Sequence, residues 1–144
     1  MMSHQVLVAS DSAFRRAWCI DELTSNGMDV TTATDGVDCI AKMRSARPDV
    51  VLLELSLLWG GSQGVLAIRA EEQALQSIPV VILAVDGFAA EWYQSAQYSI
   101  QGFLLRRPSS ELLVSTLLAA LRRTGWDTPE ASSTVHEQSR STLI

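Results

Sequence analysis

Arg47-Pro48-Asp49-Val50-Val51-Leu52-Leu53-Glu54-Leu55 is the stretch on which the fold turns. Its apolar residues run on without alternation, as in a strand covered on both faces of a parallel sheet. The run closes on a carboxylate, Glu54. A charge at the end of such a strand stands where an open α/β sheet gathers its chemistry.

Working outward, 79–85 (PVVILAV) repeats the all-apolar pattern, and 5–10 (QVLVAS) is short, β-branched and apolar. Residues 28–34 form a threonine-rich strand suited to a place nearer an edge, and 101–105 supply a fifth. Helical patterns fill the gaps. Ser12 caps a helix to about residue 26, with Phe14, Ala17, Trp18 and Leu23 at helical spacing and Gly27 as its stop. Asp35-Gly36 opens a short helix carrying Val37, Ile40, Ala41 and Met43. The loop at Trp59-Gly60-Gly61 leads to a helix near 65–75. Asp86-Gly87 opens a fourth, with Phe88, Trp92 and Ala96 at i, i+4, i+8. Ser109 or Ser110 caps a last one reaching about Arg123, with Glu111 and Arg122-Arg123 placed to suit the helix dipole. Five strands alternating with five helices predict a single doubly wound five-stranded parallel sheet.

A chain of 144 residues fits one domain, here 1–123, and 47% apolar with 19% charged residues is an ordinary globular balance. Residues 124–144, rich in Ser, Thr and Glu, read as a flexible tail. The net charge is −5 and Lys42 is the only lysine. Without a basic stripe, direct nucleic-acid binding is not expected. No apolar run reaches the length of a membrane span and no signal peptide is visible, so the expected location is cytoplasmic. Cys19 and Cys39 fall in apolar-periodic segments and read as small core residues. His4 and His136, near the two ends, read as solvated.

The R-P-D-V-V-L-L-x-L, I-P-V-V-I-L and G-F-L-L-x-x-P segments together resemble the receiver domains of response regulators, over residues 5–123 or so. The resemblance implies the flavodoxin-like strand order 2-1-3-4-5, a role in a two-component or phosphorelay pathway, and no enzyme activity of the domain's own. It also implies a phosphoacceptor aspartate where this chain has Glu54. An acidic pair after the first strand, with that acceptor, holds Mg²⁺ in the family. Here V-A-S-D leaves Ser10 in place of one acid and Asp11 as the other, so Asp11 and Glu54 would hold Mg²⁺ weakly at best, and no other cofactor is expected. Ala84 stands where the family has Thr or Ser. Arg106 or Arg107, depending on where an inserted residue is counted, replaces the family's lysine. Phe103 stands at the aromatic switch position. The loop after Glu54 is two residues longer than usual.

These changes describe a degenerate receiver, or pseudo-receiver, that acts by protein–protein contact rather than by phosphorylation. Glu54 is then expected to pair with Arg106 or Arg107 and to mimic in part an occupied acceptor; the plainer reading has Glu54 pointing into solvent. The chief alternative is a response regulator still phosphorylated, by a sensor kinase, at an atypical acceptor. A flavodoxin-like cofactor binder fits poorly, because the turn Ser10-Asp11-Ser12-Ala13 lacks glycines to cradle a phosphate. The last helix is apolar almost all round from 112 to 121. Val114, Leu118 and Leu121, with Tyr93 on the preceding helix, are therefore the expected contacts of a homodimer or partner face made by the fourth helix, fifth strand and fifth helix.

Overall fold

The computed structural model of the protein describes residues 3–57, 61–84, 97–105 and 107–122. Five parallel strands, β1 (Gln5–Ala9), β2 (Asp29–Ala33), β3 (Val50–Glu54), β4 (Val80–Ala84) and β5 (Gly102–Leu105), form one sheet in the order β2-β1-β3-β4-β5. The helices are α1 (Ala13–Thr24), α2 (Gly36–Ala46), α3 (Gly61–Glu71), the single turn α4 (Gln73–Gln76) and α5 (Ser110–Arg122). The helix expected after Asp86, with Trp92 and Tyr93, lies outside the described residues, as do Arg106, His136 and the 124–144 segment.

Local chemistry sets the helix ends. Ser12 accepts a hydrogen bond from the Arg15 amide and starts α1; Gly27, at φ +80°, supplies the left-handed turn beyond it. Asp35 caps α2 through the Asp38 amide at 2.8 Å. Of the two candidate caps for α5, Ser109 is the one that accepts, from the Leu112 amide. The third helix begins at Gly61, four residues before the apolar pattern at Val65. It breaks at Glu72, which adopts an extended backbone before α4.

Strand alternation sorts the core into two layers. Leu7, Val51, Leu53 and Ile82 face α2 and α3, while Val6, Val8, Leu52, Val81 and Leu83 face α1 and α5. Every side chain of β3 and β4 is buried, which explains why neither strand alternates in sequence. Each fully buried Leu or Val contributes about 1.5–3 kcal/mol. Cys19 and Cys39 sit in these layers, and burial pushes their thiols up to about 11 and about 12. His4 is exposed.

Arg69 is a buried charge that no sequence pattern exposed. Its guanidinium donates to the Ile78 carbonyl at 2.8 Å, the Ser99 carbonyl at 2.6 Å and Gln101 Oε1 at 3.1 Å. Three acceptors make the burial tolerable, and they tie the end of α3 to the entrances of β4 and β5.

Candidate functional site

Glu54 ends β3 on the face that Val50 and Leu52 turn toward α1, and it is only 1% exposed. A carboxylate so buried needs partners. Ser10, one residue past β1 and itself buried, donates to Glu54 Oε1 at 2.9 Å. Arg15, in the first turn of α1, donates its Nε to the same oxygen at 2.5 Å. Ser56, in the turn after the strand, donates to Oε2 at 3.2 Å. The Ser12 amide donates to Ser10 Oγ at 3.1 Å, so the cap of α1 and the support of Glu54 are one chain of hydrogen bonds. Arg16 holds the Ser10 carbonyl at 2.6 Å.

Burial is the largest influence on the Glu54 carboxyl and pushes its pKa up from the ordinary 4.5. Arg15 opposes this, the hydrogen-bonded carboxyl of Asp11 adds to it, and Ser10 opposes it more weakly. Asp11 is exposed at the rim, while Glu54 lies beneath it.

Two expectations for Glu54 are corrected by this geometry. It does not point into solvent, and among the described residues the arginine that reaches it is Arg15 and not Arg107, while the expected pairing with Arg106 lies outside those residues. Arg107 is exposed. The alternation of β3 explains the result, because Glu54 shares a face with α1, whose first turn brings Arg15 within reach. The sequence held one usable signal: Ser12 as the cap fixes Arg15 at the third position of the helix, directly beside the strand ends.

Ala84 is buried at the end of β4 in the layer facing α2 and α3, and Phe103 is buried in that same layer. Neither brings a hydroxyl. On α5, Val114, Leu118 and Leu121 are half-buried against the core, and Leu112 is the exposed leucine, at 41%. The expected exposure of those three is therefore only partial. An i, i+3, i+4 apolar stripe is broad enough to wrap around β3, β4 and β5, which α5 contacts.

A divalent cation fits these residues poorly. Glu54 Oε1 already accepts from a guanidinium and a hydroxyl, and a fixed positive charge repels a second cation. Among the described residues no three His, Cys, Asp or Glu side chains gather into a set able to hold a metal ion.

A doubly wound parallel sheet in the order 2-1-3-4-5, with an acid closing its central strand, is the flavodoxin-like architecture that receiver domains share. The match to the response regulator receiver domain model runs over residues 6–118, and the chain belongs to that family of two-component signalling. It is 31% identical over 129 residues to TcrX of Mycobacterium tuberculosis, covering 89% of this chain and 54% of that protein. It is 26% identical over 134 residues to the response regulator MprA of Mycobacterium ulcerans, covering 93% and 57%. The chain thus spans about half the length of these curated relatives. Among solved structures, the chemotaxis protein CheY4 of Vibrio cholerae superposes with a TM-score of 0.74 at 23% identity, covering 83% of this chain and 99% of that one. A CheY-like receiver domain from Methanospirillum hungatei gives 0.78 at 11% identity, covering 88% and 100%. These likenesses carry the fold. No helix among the described residues is long and apolar enough to cross a membrane.

Proposed function

We propose that this receiver signals without phosphorylation, as a pseudo-receiver whose acceptor position is held closed by its own side chains. The observation that carries this reading is the occupation of Glu54: 1% exposed, with Ser10 and Arg15 on one oxygen and Ser56 on the other. An incoming phosphodonor meets a carboxylate whose Oε1 is taken by a charge-assisted hydrogen bond and whose Oε2 accepts from Ser56, and in-line transfer depends on positioned charge that this site spends on itself. Glu54 paired with Arg15 is then a fixed mimic of an occupied acceptor. It is a partial one, since a carboxylate carries one negative charge and a phosphoryl group nearly two.

Output passes through protein contact. The face of α5 with β5 is the proposed surface, for a second copy or another signalling protein, and Leu112 is an exposed apolar residue on α5. Mg²⁺ is bound weakly or not at all, because Ser10 replaces an acid and Arg15 supplies a cation.

Incubation with acetyl phosphate and Mg²⁺, followed by intact mass, tests the reading. The mass stays unchanged. A gain of one phosphoryl group that disappears in Glu54→Gln overturns it and reinstates a phosphorylated regulator with an atypical acceptor.

A further inference from the structure

At the carboxyl end of the sheet, on the side of α1 and α5, the first turns of α1, the end of β4 and the turn leading into α5 enclose a cavity of about 330 Å³. Its described lining comes from three separate segments, 14–19 on α1, Leu83 near the end of β4, and Arg107-Pro108 just before α5. Phe14 and Trp18, one helical turn apart on α1, form one wall. Leu83 and Pro108 form the opposite side. Phe14 is 79% exposed. A lone exposed aromatic is commonplace. This one stands over a concavity whose other walls come from two separate segments and are also apolar.

Among the described lining residues the charges are of one sign. Arg15 and Arg107 reach the cavity, and no carboxylate is among its described lining residues. Arg15 is partly neutralised by Glu54 behind it, whereas Arg107 is exposed at the mouth. A concave, mainly apolar site of this volume with a few placed polar groups has the form of a small-molecule pocket. We propose that it binds a small amphipathic anion, a flat aromatic or alicyclic body with one anionic head group. The ring lies between Phe14 and Trp18 on one side and Leu83 and Pro108 on the other. The head group meets Arg107, with Arg15 adding to the field. Because Arg15 also holds Glu54, an occupant of this cavity acts on the side chain that secures the acceptor position. The pocket stands whether or not Glu54 takes a phosphoryl group.

The test titrates 2-naphthoate into the uniformly ¹⁵N-labelled full chain and follows amide shifts. Saturable shifts are expected at residues 14, 18, 19, 83 and 107 and at the Trp18 indole N–H, with sub-millimolar affinity. Arg107→Gln weakens binding about tenfold, the loss of roughly one charged hydrogen bond. The neutral 2-naphthamide is weaker than 2-naphthoate by a similar factor, and Phe14→Ala weakens binding severalfold. Both substituted side chains are exposed, and each variant's dispersed amide spectrum verifies its fold. No saturable shift up to millimolar ligand overturns the proposal. So do shifts scattered away from these residues, or affinities unchanged in Arg107→Gln and Phe14→Ala.

Discussion

Replacing Arg15 with Met keeps the length and apolar stem of the side chain and removes the cation from a carboxylate that is 1% exposed. Breaking a fully buried ion pair costs about 3–5 kcal/mol. Arg15 is itself 29% exposed, so water takes back part of the loss and about 2–3 kcal/mol is the expected cost near pH 8. That is a large share of the about 5–15 kcal/mol holding an ordinary domain together. The cost depends on pH with a definite sign. The folded pKa of Glu54 lies above its unfolded value, so the folded state keeps its proton longer. Below about 4.5 both states are protonated and burial of the carboxyl is tolerated in full; as pH climbs through the folded pKa, stability falls. Arg15 lowers that pKa, so its removal raises it further and deepens the fall. Urea unfolding of wild type and variant at pH 8 and pH 5.5 should give a difference that shrinks on the acidic side. In a Glu54→Gln background, Arg15→Met should cost little at either pH. An equal loss at both pH values, or an undiminished loss beside the neutral amide of that background, refutes the pairing as the source of the effect.

Gly102→Ala should destabilise the domain by about 1–3 kcal/mol, because a Cβ there would lie 3.1 Å from Thr116 Cγ2 and 3.2 Å from Val81 Cγ2; adding Thr116→Ser should recover part of the loss in the same urea assay, and an unaltered midpoint for Gly102→Ala would contradict the tight packing of α5 on β5. Cys19 and Cys39, buried with thiols pushed up to about 11 and about 12, should resist a thiol-specific disulfide reagent at pH 8 in the native state and react fully in urea; rapid native-state labelling of either would place it at the surface.

Most of the fold was legible because burial on two faces writes itself into sequence. Val50–Glu54 and Val80–Ala84 are unbroken apolar runs since both sides are covered, and Asp29–Ala33 carries threonines since it forms an edge. The start of α3 was not legible, because Gly61-Ser62-Gln63-Gly64 has poor helix formers. Ser62 is nevertheless buried and donates to the Leu55 carbonyl at 2.8 Å, a tertiary tie that offsets the weak propensity. The positions of the candidate site were legible from the strand ends, since Ser10, Asp11 and Glu54 follow directly from register. Their partner was not. Arg15 lies 39 residues before Glu54 and on a helix, and only the alternation of β3 together with the cap at Ser12 brings the two together. Arg69 escaped for the same reason, two of its acceptors being main-chain carbonyls that have no sequence signature.

The substitutions at the strand ends make electrostatic sense when taken as a group. The family pattern places two acids after the first strand beside an acceptor aspartate, three negative groups that a divalent cation offsets. Here Ser10 has removed one of them and gives a hydrogen bond instead of demanding one. Glu54 is a methylene longer than aspartate, and Arg15 meets it from α1. What remains is one buried ion pair with an exposed Asp11 at its rim, a set with one net negative charge where the family pattern has three. Glu54 without Arg15 would be an uncompensated buried charge, and a guanidinium at Arg15 beside three carboxylates would compete with a bound cation. On the proposed reading, the site is satisfied by its own side chains as it folds and does not wait for a metal and a phosphoryl group. On that reading, returning Glu54 to aspartate alone shortens the reach to Arg15 and leaves Ser10 in place. The Glu54→Asp variant should therefore lose stability in urea unfolding without gaining mass on incubation with acetyl phosphate and Mg²⁺.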